Sequence, residues 1–169
     1  MKKILALTLA LVMVFALAST TVASAATAQY ATTQEFMNYC DRNGIVYTYQ
    51  GINQTTNREQ VRTSWRGDNI SSLTVNLFFD SDLEAVRLYA WNIIDYNSYN
   101  YSSLLEVVNN LNAQFFWVKF YCDTSDNSVT GEISIPVRTG NAGELAFDAL
   151  SWMVSIIDDA YPSVQPYAK

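Results

Sequence analysis

Between Ser103 and Val137 the hydrophobic period of the chain changes once, and the other segments can be arranged around that change. Leu104, Val107, Val108 and Leu111 fall at the i, i+3, i+4, i+7 spacing of one helical stripe. Ser103 with Glu106 three residues on makes a capping-box pattern for the helix start. Asn109, Asn110 and Asn112 suit its frayed end. From Phe115 the period falls to two. Phe116, Val118, Phe120 and Cys122 share one face, and Phe115, Trp117, Lys119 and Tyr121 the other. Asp123–Ser128 is polar throughout and turns the chain. Val129, Ile133, Ile135 and Val137 then alternate with Thr130, Glu132 and Ser134 as a second strand, with Pro136 at its end or edge.

Upstream, Thr32 or Thr33 can cap a first helix through about Arg42, with Phe36, Met37 and Cys40 inward and Asn43-Gly44 as a left-handed stop. Ile45–Gln50 has strand composition, and Gly51–Asn57 is polar and loop-like. Gln60–Arg66 sets Val61, Thr63 and Trp65 against Arg62, Ser64 and Arg66. Gly67-Asp68-Asn69 is a turn signal. Ile70–Phe79 lines up Leu73, Val75, Leu77 and Phe79, and Asp80-Ser81-Asp82 turns again. Glu84–Ile94 sets Val86, Leu88 and Ala90 against Arg87, Tyr89 and Trp91. Asp95–Ser102 is a loop carrying Tyr96, Tyr99 and Tyr101. Asn141 and Glu144 mark the start of a last helix with the core stripe Ala146, Leu150, Met153, Ile157 and Ala160. Phe147, Val154 and Tyr161 widen that stripe, Pro162 ends the helix, and Ser163–Lys169 is a tail. The expected architecture is α+β: a two-layer sandwich with an antiparallel five-stranded sheet, in the order α-β-β-β-α-β-β-α.

The first 25 residues change the setting. Lys2 and Lys3 precede the apolar run Ile4–Ala18, and Ala23-Ser24-Ala25 supplies a small-residue cleavage site, so residues 1–25 read as a secretory signal peptide. The apolar run is shorter than the roughly 20 residues of a membrane span, so no stable anchor is expected after cleavage. Removing 25 residues from 169 leaves 144, one domain over 26–169 with room for a real core. Losing Lys2 and Lys3 takes the formal charge from −6 to −8, which argues against nucleic acid and anionic membrane surfaces as partners. In an exported chain, two cysteines are either a disulfide joining Cys40 and Cys122 or two unpaired buried thiols; both stay open.

Several chemistries find no support. With no histidine in the chain, Ser–His and Cys–His catalysis and histidine metal sites are excluded. No glycine-rich phosphate loop is present. Asp123–Asn127 superficially resembles a calcium loop, but Ser128 stands where glycine is needed and Ser134 where glutamate should clasp the ion. Asp158 and Asp159 are adjacent on a helix, do not face each other, and read as a solvated last turn. No cofactor is expected, and the chain is read as a non-enzyme.

The residues Leu111-Asn112, Lys119-Phe120-Tyr121, Ile135-Pro136 and Ile157-Asp158-Asp159-Ala160-Tyr161-Pro162, in that order and spacing, resemble the YbjN family of sensory transduction regulators. The likeness covers about Thr33–Tyr161. It implies a fold similar to type III secretion chaperones and a function in protein binding, with no catalytic residues. It also implies a homodimer with the second helix as a seam. Two features set this chain apart: its export signal, and the long polar loop Gly51–Asn57.

The sharper functional lead is the sheet face turned from the core. Alternation places Arg87, Tyr89, Trp91, Trp117, Lys119 and Tyr121 there, with Phe78, Arg62 and Arg66 nearby. Aromatic rings with interspersed cations suit protein contact. The reading is a secreted, non-enzymatic interaction module that binds an unidentified protein partner through its sheet face or its second helix. The alternative is an extracellular glycan or small-ligand binder, using Tyr96, Tyr99 and Tyr101 as stacking platforms.

Overall fold

The computed structural model describes residues 27–80 and 84–169. The signal-peptide expectation lies outside the described residues, as does most of the turn at Ser81 and Asp82. The first helix, α1, spans Ala31–Asn43 and stops at Gly44, whose φ of 66° is left-handed, as the Asn-Gly pair requires. Four strands follow, one more than expected before the second helix: β1 Tyr47–Asn53, β2 Arg58–Trp65, β3 Leu73–Asp80 and β4 Ala85–Asp95. Helix α2 is Tyr101–Gln114, strands β5 and β6 are Lys119–Asp123 and Ser128–Pro136, and α3 is Ala142–Val164. The sheet has six strands in the order β1-β2-β3-β4-β6-β5, with every neighbouring pair antiparallel. β6 inserts between β4 and β5, so α2 carries the chain across to the far edge.

All three helices lie on one side. Phe36 of α1 packs on Phe79 of β3 with ring centroids 5.6 Å apart, α3 lies on β4 and β6, and α2 lies on β5 and against α3. The expected inward positions of β2 to β4 are buried there, from Val61 to Ala90, except Trp65, which is half-buried, and so is the α3 stripe from Ala146 to Ala160. The sheet is therefore covered on its helix side, and among the described residues no helix lies on its reverse face.

Several local expectations change because side chains distant in sequence supply what nearby ones do not. Neither Thr32 nor Thr33 caps α1; Tyr30 holds the N-cap position with no side-chain bond. The Ser103–Glu106 box lies inside α2, which starts two residues earlier. At α3, Glu35 of α1 accepts hydrogen bonds from the N–H groups of Gly140 and Ala142 at 2.7 and 3.1 Å, capping the helix from its neighbour. Gly143 makes that approach tight: a Cβ there would sit 2.7 Å from the Glu35 carbonyl oxygen. β1 runs into the segment read as a loop, continuing to Asn53 through a bulge at Gly51, φ 82°.

Pro162 does not end α3. A proline cannot donate to the carbonyl four residues back, and here that carbonyl, of Asp158, accepts from Asn69 Nδ2 at 3.1 Å instead. The helix continues to Val164 and a short 3-10 turn follows at Gln165–Tyr167. Ala168 then bridges to Tyr96, so the expected free tail is pinned to the sheet end. Asp158 itself is no solvated residue: its carboxylate accepts the N–H groups of Asp68, Asn69 and Ile70 at 2.9–3.0 Å.

Cys40 and Cys122 are both free. Cys40 lies on α1 within the electrostatic reach of Tyr47 in edge strand β1, whereas Cys122 lies in β5 at the opposite edge. No disulfide joins them in this structure. Burial pushes the Cys40 thiol up to about 12, so it is held as an inert thiol in the core.

Candidate functional site

The reverse face is built by alternation on β2, β3, β4, β6 and β5. One cross-strand row runs Arg62–Asn76–Tyr89–Glu132–Lys119, each residue paired with the next. Asn76 is buried under its neighbours and accepts from Gln60 Nε2 at 2.8 Å and Arg62 Nε at 3.3 Å. The Tyr89 hydroxyl donates to Glu132 Oε1 at 3.2 Å. Burial first, and then the adjacent Glu132 carboxylate, push the Tyr89 and Tyr121 hydroxyls above the usual tyrosine range, so both stay protonated donors.

Over this polar row stands an aromatic cluster. Tyr89 and Trp91 stack with centroids 5.7 Å apart, and Phe78 meets both rings at 5.8 and 5.7 Å. Tyr121 lies above Thr130, its cross-strand partner, which is buried. Trp91 remains 45% exposed and Tyr121 37%, so the described residues leave the cluster open. Arg62 and Lys119 are exposed and Arg87 half-buried; among the described residues none of the three forms an ion pair. The structure thus brings together Arg87, Tyr89, Trp91, Lys119 and Tyr121, as alternation implied.

It does not bring Trp117 to them. β5 begins only at Lys119, so the alternation does not extend back through Phe115 to Trp117. Trp117 instead stacks on Trp152 of α3 at 4.6 Å, on the helix side. Phe116, expected inward, is 78% exposed and meets Trp117 edge-on at 5.1 Å. Trp152 escaped the sequence reading because it flanks the core stripe of α3.

The face also carries two acids that sequence did not single out. Asp95 and Asp123 flank the buried Ser128 in one row at the β5–β6 turn end. Asp123 lies two residues beyond Tyr121, a signal that was legible. Asp95 was hidden by a bulge: β4 shifts register between Ala90 and Ile94, with Asn92 at φ 53°, so simple alternation fails there.

The tyrosine loop forms no stacking platform. Tyr96 is 1% exposed and donates to the Asp123 carbonyl oxygen at 3.3 Å, beneath the returning C-terminus. Tyr101 is half-buried in the first turn of α2, leaving Tyr99 alone in the open. Helix α2 offers little apolar surface outward either, with Leu105 its one exposed large hydrophobic residue.

The sequence model of one family, YbjN, described as "Putative bacterial sensory transduction regulator", matches residues 34–166. Among solved structures, that of YbjN, "a putative transcription regulator from E. coli", is similar at 12% identity, with a TM-score of 0.53, covering 79% of this chain and 91% of that one. The ExsC–ExsE complex is similar at 14% identity, TM-score 0.49, covering 83% of this chain and 96% of the matched chain. No curated protein matches.

Proposed function

This chain belongs to the YbjN family, and we propose that it is an exported, non-enzymatic protein-binding module whose contact surface is the reverse face of its sheet. The observation that carries this reading is the open aromatic cluster Phe78–Tyr89–Trp91 on a face that no helix among the described residues covers. Packed against each other the rings add about 0.5–1.5 kcal/mol per pair to folding, yet Trp91 still leaves 45% of its surface in water. At an interface, tryptophan, tyrosine and arginine are the residues that most often dominate the binding energy. The Tyr89 hydrogen bond to Glu132 and the ring contacts with Phe78 and Trp91 hold the cluster in place in advance, so less ordering remains to be done on contact. Export rests on the leader pattern of residues 1–25.

The test is the double variant Tyr89→Ser/Trp91→Ser. Truncating two central aromatics should weaken association by about 2 kcal/mol or more, roughly thirtyfold, with the far-ultraviolet circular dichroism spectrum unchanged. Self-association is read by sedimentation equilibrium, and capture of other proteins from the extracellular fraction is measured alongside. If both are unaltered in a folded variant, the face is not a binding surface.

A further inference from the structure

We infer that the row Asp95–Ser128–Asp123 is a calcium site, held across three strands at the turn end of the sheet. The inference goes beyond the contact face and does not depend on what the aromatic cluster binds. Ser128 of β6 pairs with Asp95 of β4 on one side and with Asp123 of β5 on the other. Residues directly opposite in an antiparallel ladder point to the same face, so the serine hydroxyl stands between two carboxylates. Ser128 is 1% exposed, and its Oγ has no hydrogen-bond partner among the described residues. A buried hydroxyl left unpaired is costly and calls for a partner.

The carboxylates also lack a counter-charge. Among the described residues neither forms an ion pair. Asp95 Oδ1 accepts from Asn92 Nδ2 at 3.1 Å. Asp123 Oδ1 accepts from the Ser125 N–H at 2.8 Å and the Ser125 hydroxyl at 2.6 Å, and those bonds hold its carboxyl below the usual carboxylate range. Each side chain is thus oriented through one oxygen and keeps the other for a ligand. The bulge in β4 completes the row. Had the Ala90–Gly131 register run on unbroken, Ile93 would face Ser128; the bulge puts Asp95 there instead. Strands spaced about 4.8 Å apart set the two aspartate Cα atoms about 10 Å apart, with the serine midway. An aspartate oxygen reaches about 3.5 Å from its Cα, and a calcium–oxygen bond is about 2.4 Å long, so one ion above Ser128 Oγ is within reach of both.

Two carboxylates balance the charge of a divalent cation. Calcium accepts an irregular set of carboxylate, hydroxyl and water oxygens, whereas magnesium requires a regular octahedron and gives up water reluctantly. Direct coordination by a neutral hydroxyl therefore favours calcium. Among the described residues no three acids or thiols gather as a metal site. Two carboxylates and a hydroxyl make a weak site, with a dissociation constant of about 1 mM. Its ligands come from three strands, unlike those of a calcium loop running on from Asp123.

Terbium luminescence tests the site on protein purified after expression of the full chain, because Tyr121 lies about 7 Å along β5 from Asp123 and can sensitise an ion bound there. Terbium should bind saturably and be displaced by calcium with a constant of about 1 mM, and by magnesium less well. Asp95→Asn should weaken binding about tenfold or more and Ser128→Ala about threefold or more, with the circular dichroism spectrum unchanged. Asp126→Asn, in the turn, should change nothing. Calcium at about 10 mM should raise the melting midpoint of the wild type by about 3–5 °C and leave that of Asp95→Asn where it was. A wild type indifferent to calcium, binding unaltered by Asp95→Asn or by Ser128→Ala, a loss on Asp126→Asn as large as on Asp95→Asn, or displacement by magnesium as effective as by calcium would each overturn the inference.

Discussion

Replacing Glu59 by alanine should lower the unfolding free energy by about 3–4 kcal/mol, the largest loss expected from any single charged residue here. Glu59 is fully buried at the start of β2, on the helix side of the sheet. Its Oε1 accepts the Gln29 N–H at 2.7 Å and its Oε2 accepts the Tyr30 N–H at 3.0 Å. The Tyr49 hydroxyl donates to the same carboxylate. Three donors from two segments of chain converge on one side chain, so its loss strands all three and releases the lead into α1. Truncation of an exposed acid such as Glu106 should by contrast stay within about 0.5 kcal/mol. Chemical denaturation of the three proteins separates these outcomes.

The same cluster gives a pH signature. Burial first, and the hydrogen bond to Glu59 second, push the Tyr49 hydroxyl up from its usual 10.0 to about 12. Because the folded value lies above the unfolded one, its stabilising contribution is complete below pH 10 and is lost as the pH rises from there through about 12. Tyr47 is likewise raised to about 12, by burial and by Asp41, and titrates in the same window. Stability should therefore fall across this range in the wild type. The fall should be shallower in Glu59→Ala, where the carboxylate's part is gone and the part due to burial and Tyr47 remains. An equal slope in both would show that Tyr49 does not lean on Glu59.

Gly67→Ala should cost about 2–4 kcal/mol through a residue 91 positions away. An added Cβ would fall on the carboxylate of Asp158. That carboxylate holds the N–H groups of Asp68, Asn69 and Ile70, and Asn69 in turn covers the carbonyl that Pro162 leaves without its helical donor. The turn between β2 and β3 and the end of α3 are therefore one clamp. Asp158→Ala should cost about 2–3 kcal/mol, and the two changes should not add. With Asp158 gone the new methyl has nothing to strike, so Gly67→Ala on that background should cost less than about 1 kcal/mol. Strict additivity in the double-mutant cycle would mean that the glycine matters for its own backbone alone.

Both predictions concern residues whose role was not legible in the sequence, and for the same physical reason. Alternation reads side-chain direction well, and it placed Leu73 to Phe79, Val86 to Ala90 and the α3 stripe in the core where the structure has them. It cannot read a partner brought in from elsewhere. Glu59 shares its parity with Val61 and Thr63, but the reading began its strand one residue later, at Gln60. Pro162 looked like a stop because Asn69 was out of view. Asn112 looked like a fraying residue. In the structure its side-chain amide donates to the Phe120 carbonyl at 2.8 Å and accepts the Phe120 N–H at 2.7 Å, standing in for a further strand along the β5 edge. The face itself was legible on β4 and β5 because regular pairing holds from Ala85 to Ala90 and from Lys119 to Asp123. It failed at Trp117, before β5 begins, and at Asp95, beyond the bulge.

Hydroxyl-radical footprinting of the protein at low and high concentration, with the modified residues identified by mass spectrometry, tests the binding face most directly. Protection of Tyr89, Trp91 and Tyr121 on association, with Phe116 and Trp152 still oxidised at their dilute rates, is the predicted result. Protection confined to Phe116 and Trp152, while the three sheet residues keep their dilute reactivity, would contradict it.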